Sequence, residues 1–106
     1  MNRIDFDTIA WSSPMPHLRD KVYECDGRRL RLLELARDFV EPGWCMRGHI
    51  GYVLMGKMEI TFADHTETFA EGDGVFIPPG EPGKHRGKVL TDTVRLILVE
   101  TVDAQA

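Results

Sequence analysis

An all-β domain, built as a sandwich or a barrel, is the fold class predicted by this 106-residue chain, and two observations predict it. Apolar residues recur at every second position over several short runs, the period of a strand with one buried face. Turn residues, chiefly Gly with Pro or Asp, separate those runs at near-regular spacing, as in sandwiches and barrels. The length suits one domain and leaves little room for a second.

The elements follow in order. About the first 20 residues, with Pro14 and Pro16, read as an irregular segment lying over the barrel or across a partner subunit. After the Asp26-Gly27 turn, Arg29 to Ala36 partly alternates, with leucines at 30, 32 and 35. Its Leu, Glu, Arg and Ala content also suits a helix, but the turn before it and the Pro42-Gly43 pair after it favour a strand. Gly48 to Met55 and Lys57 to Phe62 form a hairpin about Gly56, with Met58, Ile60 and Phe62 on one face. A turn at Ala63-Asp64-His65 leads to a short strand from Thr66 to Phe69. Glu71-Gly72-Asp73-Gly74 turns into Val75-Phe76-Ile77, which Pro78-Pro79-Gly80 stops. The last strand runs from Thr93 to Glu100. The boundaries expected are a segment at 1–28, a barrel at 29–102 and a frayed tail at 103–106.

Bulk chemistry narrows the functions. A formal net charge of -4 gives no electrostatic reason for a nucleic-acid partner, and Lys84, Arg86 and Lys88 have no interleaved aromatics to stack bases. No apolar run approaches the roughly 20 residues needed to span a bilayer, so no membrane partner is expected. The N-terminus carries acidic residues where a secretory signal has its apolar core, so no targeting peptide is read there. The two cysteines, Cys25 and Cys45, are then expected as free thiols in a reducing, cytoplasmic setting.

The stretch GWCMRGHIGYVLMG, residues 43–56, places a thiol and an imidazole on the approach to a β-forming run. Its end, Tyr52-Val53-Leu54-Met55-Gly56, taken with Gly72-Asp73-Gly74-Val75-Phe76-Ile77-Pro78-Pro79-Gly80, resembles the small single-domain cupins over roughly residues 30 to 100. The family's second motif opens with Gly, five residues, then Pro-x-Gly, matched here by Gly72, Pro78 and Gly80. The resemblance implies a jelly-roll, double-stranded β-helix barrel holding a metal and a small-molecule site.

The family's ligand positions map onto this chain with departures. Its glutamate falls on His49, its paired histidines on Gly43 and Cys45, and its last histidine on Gly83, two residues short of His85. A loop lengthened at Glu81-Pro82-Gly83 returns His85 to that place, since two residues advance a strand by about 6.6 Å on one face. The resemblance thus implies Cys45, His49 and His85 as ligands of a divalent transition metal (Zn, Fe, Mn, Ni or Cu), with open positions for water or substrate. The rival reading makes Cys45 a small buried hydrophobe and His49 a core histidine.

Around these lie candidates for a ligand pocket. Trp44 and Met46 either line it or pack the barrel; Tyr52, on the opposite face from His49, is read as packing. Arg47 either clamps a carboxylate or phosphate or is solvated. Gly51 either leaves room beside the imidazole or lets two backbones approach. Glu81 is either an acid or base at the barrel mouth or a surface carboxylate. His17, His65 and Cys25 receive no role. The function expected is small-molecule chemistry, metal-dependent on an organic acid, sugar or aromatic, with a metal-free binding or sensor module and a dimeric interaction module as alternatives. A homodimer is expected, as small cupins commonly pair.

Overall fold

The computed structural model describes residues 2–102, so the expected frayed tail at 103–106 lies outside the described residues. Among these, nine strands form two antiparallel sheets. The strands are β1 (Ser12–Met15), β2 (Leu18–Cys25), β3 (Arg28–Ala36), β4 (His49–Met55), β5 (Lys57–Phe62), β6 (Thr66–Ala70), β7 (Gly74–Ile77), β8 (His85–Val89) and β9 (Thr93–Thr101). The larger sheet has the order β1-β2-β3-β9-β4-β7 and the smaller β6-β5-β8. The chain passes between the sheets at β4–β5, β6–β7, β7–β8 and β8–β9, so several neighbours in space are distant in sequence.

Local chemistry explains the strong elements. Asp26 and Gly27 both have positive φ, 53° and 74°, the pairing a two-residue Asp-Gly hairpin turn requires. It aligns Cys25 with Arg28 and Leu18 with Leu35. Gly56, at φ 86°, turns β4 into β5. Alternation then sets the core: Leu33 and Leu35 of β3, Val53 of β4, Met58 and Ile60 of β5, Val75 and Ile77 of β7, and Val94, Leu96 and Leu98 of β9 are all buried. Phe62 packs against them, as the shared face with Met58 and Ile60 requires.

Two expectations change. The first 20 or so residues are irregular only in part: residues 2–11 hold a single 3-10 turn, Phe6–Thr8, whereas β1 and β2 are hydrogen-bonded strands of the larger sheet, with Leu18 and Asp20 facing the interior. The sheet therefore begins before residue 29. Residues 28–36 are strand throughout, as expected; nine consecutive pairings with β9 override helix propensity. β8 was not foreseen, because its inward positions are His85, Gly87 and Val89 rather than an apolar series.

Gly51 shows the tightest approach in the larger sheet. A Cβ there would lie 1.9 Å from the Ile97 carbonyl oxygen and 2.9 Å from Leu98 Cδ2. The space beside His49 is thus already filled, and Gly51 is a close-packing position rather than part of a pocket. A Cβ at Gly43 meets nothing within 4 Å. Gly51→Ala is expected to lower unfolding free energy by about 3 kcal/mol through overpacking, and Gly43→Ala to change it by less than about 0.5 kcal/mol. Denaturant titration of the two variants checks this.

Candidate metal and ligand site

The site is assembled where the two sheets meet. The one-turn 3-10 helix Glu81–Gly83 precedes β8 and buries Gly83, where a Cβ would lie 2.0 Å from the Pro78 carbonyl oxygen. This turn delivers His85 to the start of β8. There His85 and Cys45 pair through their backbones: Cys45 N–H donates to the His85 carbonyl at 2.8 Å, and His85 N–H to the Cys45 carbonyl at 3.0 Å. Antiparallel pairing of this kind places both side chains on the same face. His49, opening β4, lies on that face too, its ring centroid 5.1 Å from that of His85 at an interplanar angle of 74°.

Among the described residues, one ligand atom from each of Cys45, His49 and His85 lies within 4.8 Å of the others. Both rings are held from behind. His49 Nδ1–H donates to Glu100 Oε2 at 2.7 Å, and His85 Nδ1–H donates to the Gly83 carbonyl at 2.9 Å. A carbonyl or carboxylate oxygen only accepts, so a proton is on each Nδ1 and Nε2 is the nitrogen left to face the cluster, available to a metal once it carries no proton. His49 Nε2 lies 4.0 Å from Cys45 Sγ. Metal-ligating histidines are oriented by this kind of Nδ1 bond.

Glu100 was not singled out from sequence, although it continues the inward series Val94, Leu96, Leu98. Its side chain is fully buried, with guanidinium groups of Arg31, Arg29 and Arg47 at 3.4, 3.5 and 4.0 Å. Arg31 also donates to Asp20 Oδ2 at 2.8 Å. Burial alone would raise the carboxyl pKa, but His49 and Arg31 outweigh it and hold Glu100 below the usual carboxylate range. Glu41, also missed, has no periodic signal, standing beside Pro42 in the connection to β4. Its Oε1 accepts from Gly87 N–H at 2.9 Å, and burial raises its pKa.

The metal-free cluster is a thiolate–imidazolium arrangement. Hydrogen bonding to His49, then to His85, brings the Cys45 pKa down from 9.0 to about 5. Burial opposes charge on His49, but the Cys45 and Glu100 contacts outweigh it and raise the pKa from 6.5 to about 9.

Behind the cluster lies a chamber of about 280 Å³ inside the barrel. Leu18, Leu33, Leu35, Phe39, Met58, Ile60, Leu96 and Leu98 form its apolar wall, and Cys45, His49, His85, Glu41, Arg31 and Arg47 its polar part. A larger open groove of about 820 Å³ runs outside, along Met46, Arg47, Ile50, Phe76 and Val99. Of the candidate pocket residues, Arg47 borders both spaces and Met46 only the outer groove. Trp44 is exposed instead, with Arg86 and Lys84 over its ring at 4.6 and 5.2 Å. Glu81 is an exposed carboxylate paired with Lys84. Tyr52, read as packing, is 47% exposed on the outer face. His65 is an exposed turn residue between Asp64 and Glu67, and Cys25 is an exposed free thiol.

Two pH effects follow. Cys45 has its folded pKa below the ordinary 9.0, so its contribution to stability is complete above that value and is lost as pH falls through about 5. His49 has its folded pKa above the ordinary 6.5, so its contribution is complete below that value and is lost as pH rises through about 9. In metal-free Cys25→Ser protein, the alkylation rate of Cys45 is expected to rise with a midpoint near pH 5 and to shift upward in His49→Gln. Iodoacetamide kinetics against pH measure both.

No protein-family model matches the chain, and no curated protein matches it either. Solved structures do. An RmlC-like cupin from Shewanella frigidimarina NCIMB 400 superposes with TM-score 0.77 at 12% identity, covering 99% of this chain and 94% of that one. The polyketide cyclase RemF from Streptomyces resistomycificus gives 0.78 at 22% identity, covering 97% and 80%. A sugar phosphate isomerase from a cupin superfamily, from Silicibacter pomeroyi, gives 0.75 at 15% identity, covering 95% and 76%. With two antiparallel sheets that superpose on these structures over nearly the whole chain, the protein has the jelly-roll fold of a small cupin domain.

Proposed function

We propose that this protein holds a divalent transition metal on Cys45, His49 and His85 and binds a small organic molecule beside it, as a metal-dependent enzyme. The observation that carries this reading is the convergence of three ligand atoms within 4.8 Å at the polar side of an apolar chamber. The donor set fits such a metal. Tetrahedral zinc at bond lengths of 2.0–2.3 Å separates its ligand atoms by about 3.3–3.6 Å, so small side-chain movements complete the site. One thiolate and two imidazoles suit zinc and also iron, nickel or copper. The metal, when bound, supplies Lewis-acid or oxygen-activating chemistry.

The chain's own residues do the rest. Glu100 holds His49 by Nδ1 and stabilises positive charge on its ring, while Gly83 orients His85. The Arg47 backbone N–H supports the Cys45 thiolate. The apolar wall excludes water and strengthens every charge interaction at the polar side. Neighbours in fold whose names record a cyclase and an isomerase support an enzyme reading, and free thiols at Cys25 and Cys45 support a reducing, cytoplasmic setting.

Elemental analysis of untagged, chelator-free protein tests the metal. Stoichiometric metal is expected, falling to trace level in His49→Ala and in His85→Ala. Protein that is metal-free and takes up no added zinc would refute the site and favour the metal-free binding module.

A homodimer through the larger sheet is the second part of the reading. Its outer face carries Phe76 at 77%, Ile50 at 50% and Tyr52 at 47% exposure, next to Val99 and Tyr23. Contiguous apolar faces of this kind mark association surfaces. Cross-strand pairing of Ile50 with both Phe76 and Val99 makes the patch continuous. Sedimentation is expected to give a dimer for the wild type and a monomer for Phe76→Glu, with the fold unchanged.

A further inference from the structure

The geometry points to the class of molecule the chamber takes: a compact carboxylic acid with an apolar body, its carboxylate seated on Arg47. This rests on the reading of the chamber as a ligand site and narrows the three substrate classes expected from sequence to one.

The wall composition comes first. Of the 17 residues around the chamber, 11 have apolar side chains and none offers a hydroxyl or an amide. The six polar ones are Arg31, Glu41, Cys45, Arg47, His49 and His85. Most are already engaged. Arg31 serves Asp20 and Glu100, and Glu41 is tied to Gly87 N–H. Cys45, His49 and His85 face one another. A sugar entering this space would leave several hydroxyls unpaired, each costing about 1–3 kcal/mol. A hydrocarbon or aromatic body meets no such penalty.

Arg47 supplies the polar head's partner. With Cys45, His49 and Ile77 it borders both the chamber and the outer groove, so it stands where the two spaces meet. Its side chain is 41% exposed, and its one ion pair among the described residues is the 4.0 Å approach to Glu100 Oε1. That distance exceeds a hydrogen bond, and Glu100 Oε1 itself has no hydrogen-bond partner. The Glu100 charge thus holds the guanidinium there while its five donors stay available. A planar guanidinium with free donors matches a carboxylate bidentately. The chamber volume, about 280 Å³, lies just under the usual range for ligand pockets, so the body must be compact.

Calorimetric titration of the full chain tests this, with four probes: benzoate, benzyl alcohol, ribose and ribose 5-phosphate. Each is run on zinc-loaded and on chelator-treated protein. Benzoate is expected to bind, benzyl alcohol about tenfold more weakly, and neither ribose compound measurably, the tenfold step being that of one charged hydrogen-bonding pair. Arg47→Gln, whose folding is checked by its melting curve, is expected to weaken benzoate by about tenfold or more, with Arg47→Lys recovering part of the loss. Unchanged benzoate affinity in Arg47→Gln, tighter binding of ribose 5-phosphate than of benzoate, or no binding of any probe would overturn the inference. Zinc uptake is read separately: zinc binding without benzoate binding overturns the ligand class alone. Arg47-dependent benzoate binding without zinc supports it while refuting the metal reading.

Discussion

Two backbone hydrogen bonds between Cys45 and His85, at 2.8 and 3.0 Å, are the constraint on which the site depends. Cys45 lies in the connection that enters the larger sheet, and His85 opens β8 in the smaller one. Their pairing is therefore a seam between the β3–β4 connection and the smaller sheet. It fixes how far the mouth of the barrel opens, and it turns a thiol and an imidazole toward the same space. The 3-10 turn at Glu81–Gly83 sets the phase of that seam, because Gly83 fits against the Pro78 carbonyl only without a side chain. His49 then completes the cluster from β4.

The second organising feature is a buried carboxylate. Glu100 has no exposed side-chain surface, a position that is unfavourable for a charge unless it is paired. His49, Arg31, Arg29 and Arg47 surround it, bringing β3, β4 and β9 into one charged layer at the end of the barrel. The same carboxylate orients one ring of the cluster and holds Arg47 where chamber and groove meet. Structure and chemistry are thus coupled through a single side chain. The apolar core below it needs no such pairing, and the chamber inherits its low polarity.

The strands were legible where alternation and turn chemistry agreed. β5, with Met58, Ile60 and Phe62 inward, and β9, with Val94, Leu96 and Leu98 inward, both show period-2 burial. β8 was missed because Gly87 and His85 interrupt the apolar series, and β1 and β2 because prolines at 14 and 16 suggested disorder of the chain path. Pro14 is tolerated because β1 is an edge strand of the larger sheet. Of the site, Cys45, His49 and His85 could be named through the resemblance to the cupin family. Arg47 could be named but not given a role, and Gly51 turned out to serve packing against Ile97.

What the sequence determined by itself was which residues face inward along each strand and where the chain turns. These depend on side-chain period and on the φ preferences of Gly, Asp and Pro, all local properties. Only the tertiary structure decided which inward residues meet. The His49–Glu100 bond joins residues 51 apart, and the Cys45–His85 bridge ties the β3–β4 connection to β8. Contacts of that range leave no local signature, because they are set by register and strand order. Whether an inward glutamate is orphaned or paired, and whether a glycine opens a pocket or closes one, depends on that arrangement alone.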